Sequence, residues 1–253
     1  MKVSNYLNRI AYHGELAVNL EVLKALQKHH LLAIPFENLD IHSNTPIVLD
    51  SQKIYQKIVE KKRGGFCYEL NGLFFKLLVE LGYDAWRISG RVYNEKSDRY
   101  GKEYDHLAIM VKLDHEEYLV DVGFGEFVFH PLKFVLHEIQ KDERGLFFID
   151  QYEGYYRVNK LKEDKAIPQY LFQTTARAYE AFEAMSHYHQ NSEQSHFTKK
   201  RFLGIPIING RVTLVGKQFK KIMKGIVVEE REVEEEEYRR LLVQYFKFGE
   251  EKN

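Results

Sequence analysis

Residues 63–74 read RGGFCYELNGLF and contain the single cysteine of the chain, Cys67. The paired glycines allow the backbone to turn sharply, and the apolar residues that follow recur at helical three- and four-residue steps as far as Leu81. We therefore predict a helix that begins near Cys67 and ends before Gly82, a residue suited to the position after a helix. Free N–H groups and the positive dipole end at such a helix start stabilise a thiolate and a developing oxyanion. The alternative is that Cys67 is a small, unreactive core side chain.

Helical and extended patterns divide the rest of the chain. An apolar stripe from Leu16 to Leu32 predicts one helix, and Asp50 or Ser51 can cap a second over residues 52–62. After residue 83 the period changes to two, which favours an antiparallel barrel or sandwich over 84–175. Further predictions are a linking helix over 179–188, a hairpin turning at Asn209-Gly210 and a final helix over 234–246.

Composition excludes several classes of protein. The 253 residues carry 37 Lys+Arg and 37 Asp+Glu, and this balance argues against a protein that binds nucleic acid by neutralising phosphates. The longest apolar run has five residues, whereas a membrane span needs roughly 20. A single cysteine cannot form an internal disulfide, and the N-terminus lacks the apolar stretch of a secretory signal. We therefore expect a cytoplasmic protein without a thiolate-rich metal site.

A thiolate nucleophile needs a base, and one of the 11 histidines is suitably placed. His106 opens an apolar strand, and the next strand contains Asp121, a carboxylate that is costly to bury unless it is paired. A two- or four-residue turn around residues 113–116 makes His106 and Asp121 diagonal neighbours on one sheet face, whereas a three-residue turn separates them. A turn with an even number of residues therefore supports this pair, although a His–Asp pair can also be a purely structural hydrogen bond.

The ordered motifs around these three residues resemble the arylamine N-acetyltransferase family. The resemblance lies in RGGFCYELNGLF, DHLAIMV (105–111) and VDVGFG (120–125), with YLNRI (6–10) and IPFENLD (34–40) upstream, and it extends from about Ser4 to Thr213. The Cys, His and Asp spacing alone would also fit a transglutaminase-like or protease-like amidase. A catalytically silent relative that only binds CoA is the third possibility.

The resemblance implies an α+β fold in three domains. These are a helical N-terminal bundle over residues 1–83, an antiparallel β-barrel over 84–188 and a small C-terminal α/β lid over 189–253. The core would be the Cys-His-Asp arrangement shared with cysteine proteases and transglutaminases.

The resemblance also implies a reaction. Cys67 would take the acetyl group from acetyl-CoA, His106 would act as its base, and Asp121 would orient the imidazole. The acetyl group would then pass to the nitrogen of an arylamine or arylhydrazine, or to the oxygen of an arylhydroxylamine, in a ping-pong sequence. The expected partners are these small molecules and acetyl-CoA, without a metal, nucleic acid or membrane; the oligomeric state stays open.

Other site residues follow from the same resemblance. Phe36, Val92 and Phe124 would contact the acceptor, although Phe36 could equally be an ordinary core aromatic. Gly123 and Gly125 would let the backbone approach acetyl-CoA, although glycines after a strand often form only a turn.

Charged residues near these motifs give three more expectations. Glu37, Arg9 and Arg63 would form a buried ionic network behind Cys67. The CoA phosphates could meet one of two basic groups, Lys199, Lys200 and Arg201 or Lys217, Lys220, Lys221 and Lys224, although the alternative for each lysine is an ordinary solvated surface residue. Glu126, directly after VDVGFG, would disfavour carboxylated acceptors.

Overall fold

The computed structural model describes residues 1–248 of the chain. A π-helical turn (Gln56–Glu60) continues the fourth helix, and a 3₁₀ turn (Tyr179–Phe182) precedes the sixth. The α-helices are α1 (Val3–Arg9), α2 (Leu20–Ala33), α3 (Leu39–His42), α4 (Ser51–Tyr55), α5 (Cys67–Glu80), α6 (Glu183–Asn191), α7 (His196–Lys199) and α8 (Glu235–Gln244).

Helix α5 is the buried element of the N-terminal half. Its first turn is capped by Glu69, whose carboxylate accepts the Phe66 N–H at 3.1 Å. It ends at Glu80, and Gly82 follows with φ +95°, a conformation that glycine adopts without strain. Both predicted ends are therefore confirmed.

Helix α2 begins later than the apolar stripe predicts. Asn19 caps it by accepting the Val22 N–H at 2.9 Å, so the helix starts at Leu20. Leu16 lies before this cap and is 50% exposed, so its assignment to the helix is wrong. The cap predicted for the helix after residue 50 is correct, since Asp50 accepts the N–H groups of Gln52 and Lys53 in the first turn of α4.

The strands form two antiparallel sheets. The larger sheet has the order β6-β5-β4-β2-β10-β9-β8-β7, with β3 paired to β2, and the smaller has the order β1-β11-β12-β13-β14. The strands are β1 (Phe36–Glu37), β2 (Asp84–Asn94), β3 (Arg99–Tyr100), β4 (His106–Leu113), β5 (Glu116–Val120), β6 (Leu132–Lys133), β7 (Gln140–Asp142), β8 (Gly145–Tyr152), β9 (Tyr155–Lys162), β10 (Lys165–Phe172), β11 (Phe202–Ile207), β12 (Gly210–Val215), β13 (Gln218–Met223) and β14 (Ile226–Glu232).

The larger sheet curls into a nearly closed barrel, which decides between the barrel and the sandwich. Its two edge strands meet through the Gln140 side chain, which exchanges two 2.8 Å hydrogen bonds with the Lys133 backbone. Buried aromatic side chains fill the interior, among them Phe127, Phe147 and Tyr170.

The β4–β5 hairpin has the register that the parity argument requires. Leu113 pairs with Glu116 across the two-residue turn Asp114-His115, and Ile109 pairs with Val120. Asp114 adopts φ +54°, as a tight hairpin turn requires. Continued along the strands, this register places His106 and Asp121 on one face.

The smaller sheet belongs to the C-terminal third but includes one strand from the N-terminal half. Strand β1 pairs with β11, and helix α8 packs Tyr238 and Leu241 against Phe219. The β11–β12 hairpin turns at the predicted Asn209. The β13–β14 hairpin was not predicted, because lysine and glutamate interrupt its apolar alternation.

The architecture is the predicted α+β class, with helices, an antiparallel barrel and a C-terminal α/β part. The domain boundaries after residues 83 and 188 stay a prediction, and residues 249–253 of the predicted third domain lie outside the described residues. No helix within residues 1–248 is long and apolar enough to cross a membrane.

Candidate active site

Cys67 is the first residue of α5 and is almost completely buried. The turn before it leaves no room for side chains: a Cβ on Gly64 would lie 2.2 Å from the Pro35 carbonyl oxygen. A Cβ on Gly65 would lie 2.8 Å from the Glu69 carboxylate. The tight turn therefore fixes Cys67 at the start of α5. The first N–H groups of a helix have no intrahelical acceptors.

His106 connects Cys67 to Asp121. The His106 Nε2 atom lies 2.7 Å from Asp121 Oδ2, and both side chains are buried. Burial lowers the pKa of His106, but the charge of Asp121 and hydrogen bonds to Asp121 and Cys67 outweigh it and raise this pKa to about 10. The imidazole is therefore held in its protonated form between a carboxylate and a sulfur.

The Asp121 carboxylate accepts four hydrogen bonds. Oδ2 accepts from His106 and from the Tyr170 hydroxyl at 3.2 Å, while Oδ1 accepts from the Asn71 amide and the Gly123 N–H, each at 2.8 Å. Because these donors surround the carboxylate, its orientation toward His106 is fixed.

Two of these donors, Asn71 and Tyr170, are functional candidates that the sequence reasoning missed. Asn71 is one helical turn after Cys67 and also bonds the Leu107 carbonyl at 2.6 Å and the Val122 N–H at 2.9 Å. Its i+4 spacing from Cys67 was a usable signal. The Tyr170 ring centroid lies 5.2 Å from that of His106. Because Tyr170 lies on β10, far from His106 along the chain, no local sequence pattern indicated this contact.

Gly123 is where the barrel backbone touches the helix that begins at Cys67. A Cβ at this position would lie 2.8 Å from Cys67 Cα and 2.7 Å from Asn71 Nδ2. At Gly125, two residues later, an added Cβ would meet nothing within 4 Å. Packing therefore requires glycine at position 123 but not at position 125.

We expect Gly123→Ala to destabilise the protein by about 1–3 kcal/mol, because the methyl group overpacks this contact. Gly125→Ala should change the free energy of unfolding by less than about 0.5 kcal/mol, as for an exposed position. Urea denaturation of both variants measures the difference. Equal losses of stability would show that the contact between Gly123 and Cys67 is looser than described.

The predicted acceptor residues lie in two places. The Phe124 ring lies edge-on to His106, with centroids 5.4 Å apart, and Val92 pairs with Tyr170 across β2 and β10. Phe36 stacks on Phe197 at 5.8 Å, and Phe197 is an aromatic side chain that the sequence reasoning did not single out. Whether these side chains contact an acceptor stays a prediction.

A buried ionic network supports the start of α5. Arg63 bonds Glu37 at 2.8 Å and Asp40 at 2.9 Å, and Lys57 lies 2.8 Å from both Asp40 and Glu69. Because Glu69 also caps the Phe66 N–H, the network contacts the turn that carries Cys67. Lys57, its central cation, was not predicted.

Arg9 lies beside this network but makes no carboxylate contact among the described residues. Its guanidinium donates to the backbone carbonyls of Ala33, Ile58 and Arg63 at 2.8–3.3 Å. The predicted ionic role of Arg9 is therefore corrected: it ties three backbone segments together, and Arg63 carries the charge pairing with Glu37.

The basic residues offered for CoA phosphates are mostly occupied or exposed. Arg201, Lys217 and Lys220 pair with the glutamates 235, 234 and 230, at 3.1, 2.9 and 3.3 Å. Lys221 lies 5.4 Å from the Tyr245 ring centroid, and the side chains of Lys199, Lys200 and Lys224 are exposed. None of these contacts singles out one group as a phosphate site.

Across residues 1–248, no group of three or more His, Cys, Asp or Glu side chains is arranged to hold a metal ion. The side chains described above are of the types that perform nucleophilic and proton-transfer chemistry.

Comparison with known proteins identifies the family of this chain. A family model described as N-acetyltransferase matches residues 19–252. Arylamine N-acetyltransferase 2 of Rattus norvegicus is 30% identical over 236 residues, covering 85% of this chain and 81% of the rat protein.

Solved structures give the same result for the whole fold. The arylamine N-acetyltransferase of Salmonella typhimurium is 26% identical, with a TM-score of 0.92 over 99% of this chain and 93% of that one. The Mycobacterium marinum arylamine N-acetyltransferase in complex with CoA is 28% identical, with a TM-score of 0.90 over 98% and 93%.

Proposed function

The chain belongs to the arylamine N-acetyltransferase family and is an acyltransferase, and we propose that it transfers acetyl groups through an acetyl-cysteine at Cys67. The donor would be acetyl-CoA, in line with the CoA complex of the Mycobacterium marinum relative. The acceptor would be the nitrogen of an arylamine or arylhydrazine, or the oxygen of an arylhydroxylamine. The placement of His106 between Asp121 and Cys67 carries this proposal.

In the first half-reaction the Cys67 thiolate attacks the thioester carbonyl. A new C–S bond forms, and the oxyanion lies at the free N–H groups that begin α5. The intermediate collapses by breaking the bond to the CoA sulfur, and the His106 imidazolium gives its proton to that leaving thiolate. CoA then dissociates, and Cys67 remains acetylated beside a neutral imidazole.

In the second half-reaction the aromatic amine attacks the acetyl-cysteine. Its lone pair is free because an arylamine is largely unprotonated at neutral pH. As the C–N bond forms, His106 takes the amine proton, and the C–S bond breaks to restore the thiolate-imidazolium pair. One site used in two steps gives ping-pong kinetics.

Contacts near these groups support roles for the other predicted residues. Phe124 lies against His106 and would cover the reacting atoms, while Phe36 and Val92 would line the acceptor pocket. The open space at Gly125 suits close approach of the donor, whereas the Gly123 backbone is committed to Cys67. A cytoplasmic location and the three-domain division remain predictions.

Intact mass spectrometry after incubation with acetyl-CoA tests the mechanism. We expect one added acetyl group on the wild-type protein, its loss on addition of an arylamine such as aniline, and no adduct on Cys67→Ser. A ternary mechanism would give product without an adduct, and that result would overturn the acetyl-cysteine proposal.

The same experiment separates the rival functions. A transglutaminase-like or protease-like amidase would give no adduct but would turn over a glutamine-containing peptide. A silent relative would be stabilised by CoA against heat without being acetylated.

A further inference from the structure

Three cations from three different elements converge on Gly125 and Glu126, the residues that follow Phe124. Arg144, in the turn between β7 and β8, donates to the Gly125 carbonyl at 3.2 Å. Lys160, on β9, lies 4.0 Å from the Glu126 carboxylate, and Arg211, on β12, forms an ion pair with it. We call Arg144, Lys160 and Arg211 the basic rim.

The basic rim has more positive charge than its surroundings neutralise. Glu126 is the carboxylate within its reach that has no other described partner. Asp142, which accepts the N–H groups of Phe129, His130 and Arg144, also lies close enough for its charge to raise the pKa of Arg144 and Lys160, so three cations face two carboxylates. The neighbouring Glu143 pairs with Lys28 instead.

Two features of the rim side chains indicate an unmet electrostatic demand. The Nη1 atom of Arg144 is buried without a hydrogen-bond partner among the described residues. Burial lowers the pKa of Arg144 to about 10, and burial and the Arg144 charge together lower the pKa of Lys160. A bound anion would supply the missing acceptor and relieve the repulsion.

The rim lies close to the reacting groups but not among them. Gly123 touches Cys67, and the rim contacts begin two residues later, roughly 7 Å further along an extended chain. Phe124 lies between these points, against His106. A ligand anchored at the rim by one end could therefore present its other end to Cys67.

We propose that the basic rim is an oxyanion subsite that binds a carboxylate or phosphate group carried by one of the two substrates. This inference rests on the proposed function. It replaces the expectation that Glu126 disfavours carboxylated acceptors, because Arg211 and Lys160 neutralise that glutamate and Arg144 adds a further positive charge.

Calorimetric titration of the full chain tests the subsite without relying on turnover. One arm compares 4-aminobenzoate with its neutral methyl ester, and the other compares CoA with pantetheine, which lacks phosphates. The variants are Lys160→Met, Arg211→Gln and the matched control Lys165→Met, which removes an exposed cation from the neighbouring strand β10.

We expect Lys160→Met and Arg211→Gln each to weaken binding of one anionic ligand about tenfold, with its neutral partner and the Lys165→Met control changed less than twofold. A loss confined to 4-aminobenzoate assigns the subsite to a carboxylated acceptor, and a loss confined to CoA assigns it to the donor phosphates. Unchanged affinity in both arms would overturn the proposal.

Two further measurements keep the outcomes distinct. If a rim variant fails to fold, raising the salt concentration on the wild-type protein should weaken the anionic ligand of one pair more than its neutral partner. Equal salt effects would again reject the subsite. Acetylation of the neutral methyl ester tests the proposed function by itself, since that acceptor does not need the rim.

Discussion

Replacing Asp121 by asparagine is expected to lower kcat/KM for acetyl transfer by about 10³–10⁴-fold with little loss of folded protein. Asn fills the same space, but its amide presents N–H donors where Asp121 accepts four hydrogen bonds. If the amide NH₂ faces His106, the imidazole must accept at Nε2 and carry its proton on Nδ1. That nitrogen faces Cys67 and could no longer take a proton from the amine.

The measurement is steady-state kinetics with acetyl-CoA and a neutral arylamine, together with urea denaturation to show that the variant is folded. Asp114→Asn is the matched control, because Asp114 lies in the exposed β4–β5 turn at φ +54°, a conformation that Asn tolerates. A folded Asp121→Asn variant with activity within tenfold of wild type would remove the carboxylate from the mechanism.

Replacing Lys57 by methionine is expected to destabilise the protein by about 3–5 kcal/mol, the usual loss when one partner of a buried ion pair is removed. Burial lowers the pKa of Lys57, but the carboxylates of Glu69, Glu37 and Asp40 outweigh it and raise this pKa above its usual range. The lysine is therefore charged in the folded protein, and Met would leave the buried Glu69 carboxylate without its cation and leave Glu37 and Asp40 with Arg63.

Guanidinium or urea denaturation measures the Lys57 effect, with Lys53→Met as the control. Lys53 is an exposed residue one helical turn earlier, so its replacement should change stability by less than about 0.5 kcal/mol. Because Glu69 caps the turn before Cys67, we also expect Lys57→Met to lower activity even where the protein remains folded. Equal stability of the two variants would mean that solvent screens the network.

Features that depend on residues close together in the chain could be predicted from the sequence, whereas features that depend on distant residues could not. The ends of α5 and the Asp50 cap depend on residues a few positions apart, so pattern and capping rules were sufficient. Leu16 shows the limit of periodicity, because Asn19 offered a better cap within the same stripe. The β13–β14 hairpin was missed because lysine and glutamate interrupt its apolar alternation, and such residues are tolerated on β14, the edge strand of the smaller sheet.

The meeting of His106 and Asp121 could be argued from the sequence, because a two-residue turn couples their register. What surrounds them could not. Asp121 is bonded by Asn71 and Tyr170, which lie 50 and 49 residues away along the chain. Neither the helix or strand propensity of Asn71 and Tyr170 nor their neighbours in the sequence indicates that they contact Asp121.

The sequence by itself therefore determined where Cys67, His106 and Asp121 lie within their own helix and strands, because capping and hairpin register depend on residues close together in the chain. Tertiary packing decided which groups surround them: Lys57 beneath α5, Tyr170 against His106 and the basic rim beside Gly125. The physical reason is that the charge and hydrogen-bond partners of a buried polar group are chosen by the closing of the barrel onto the helices, which joins segments far apart in the chain.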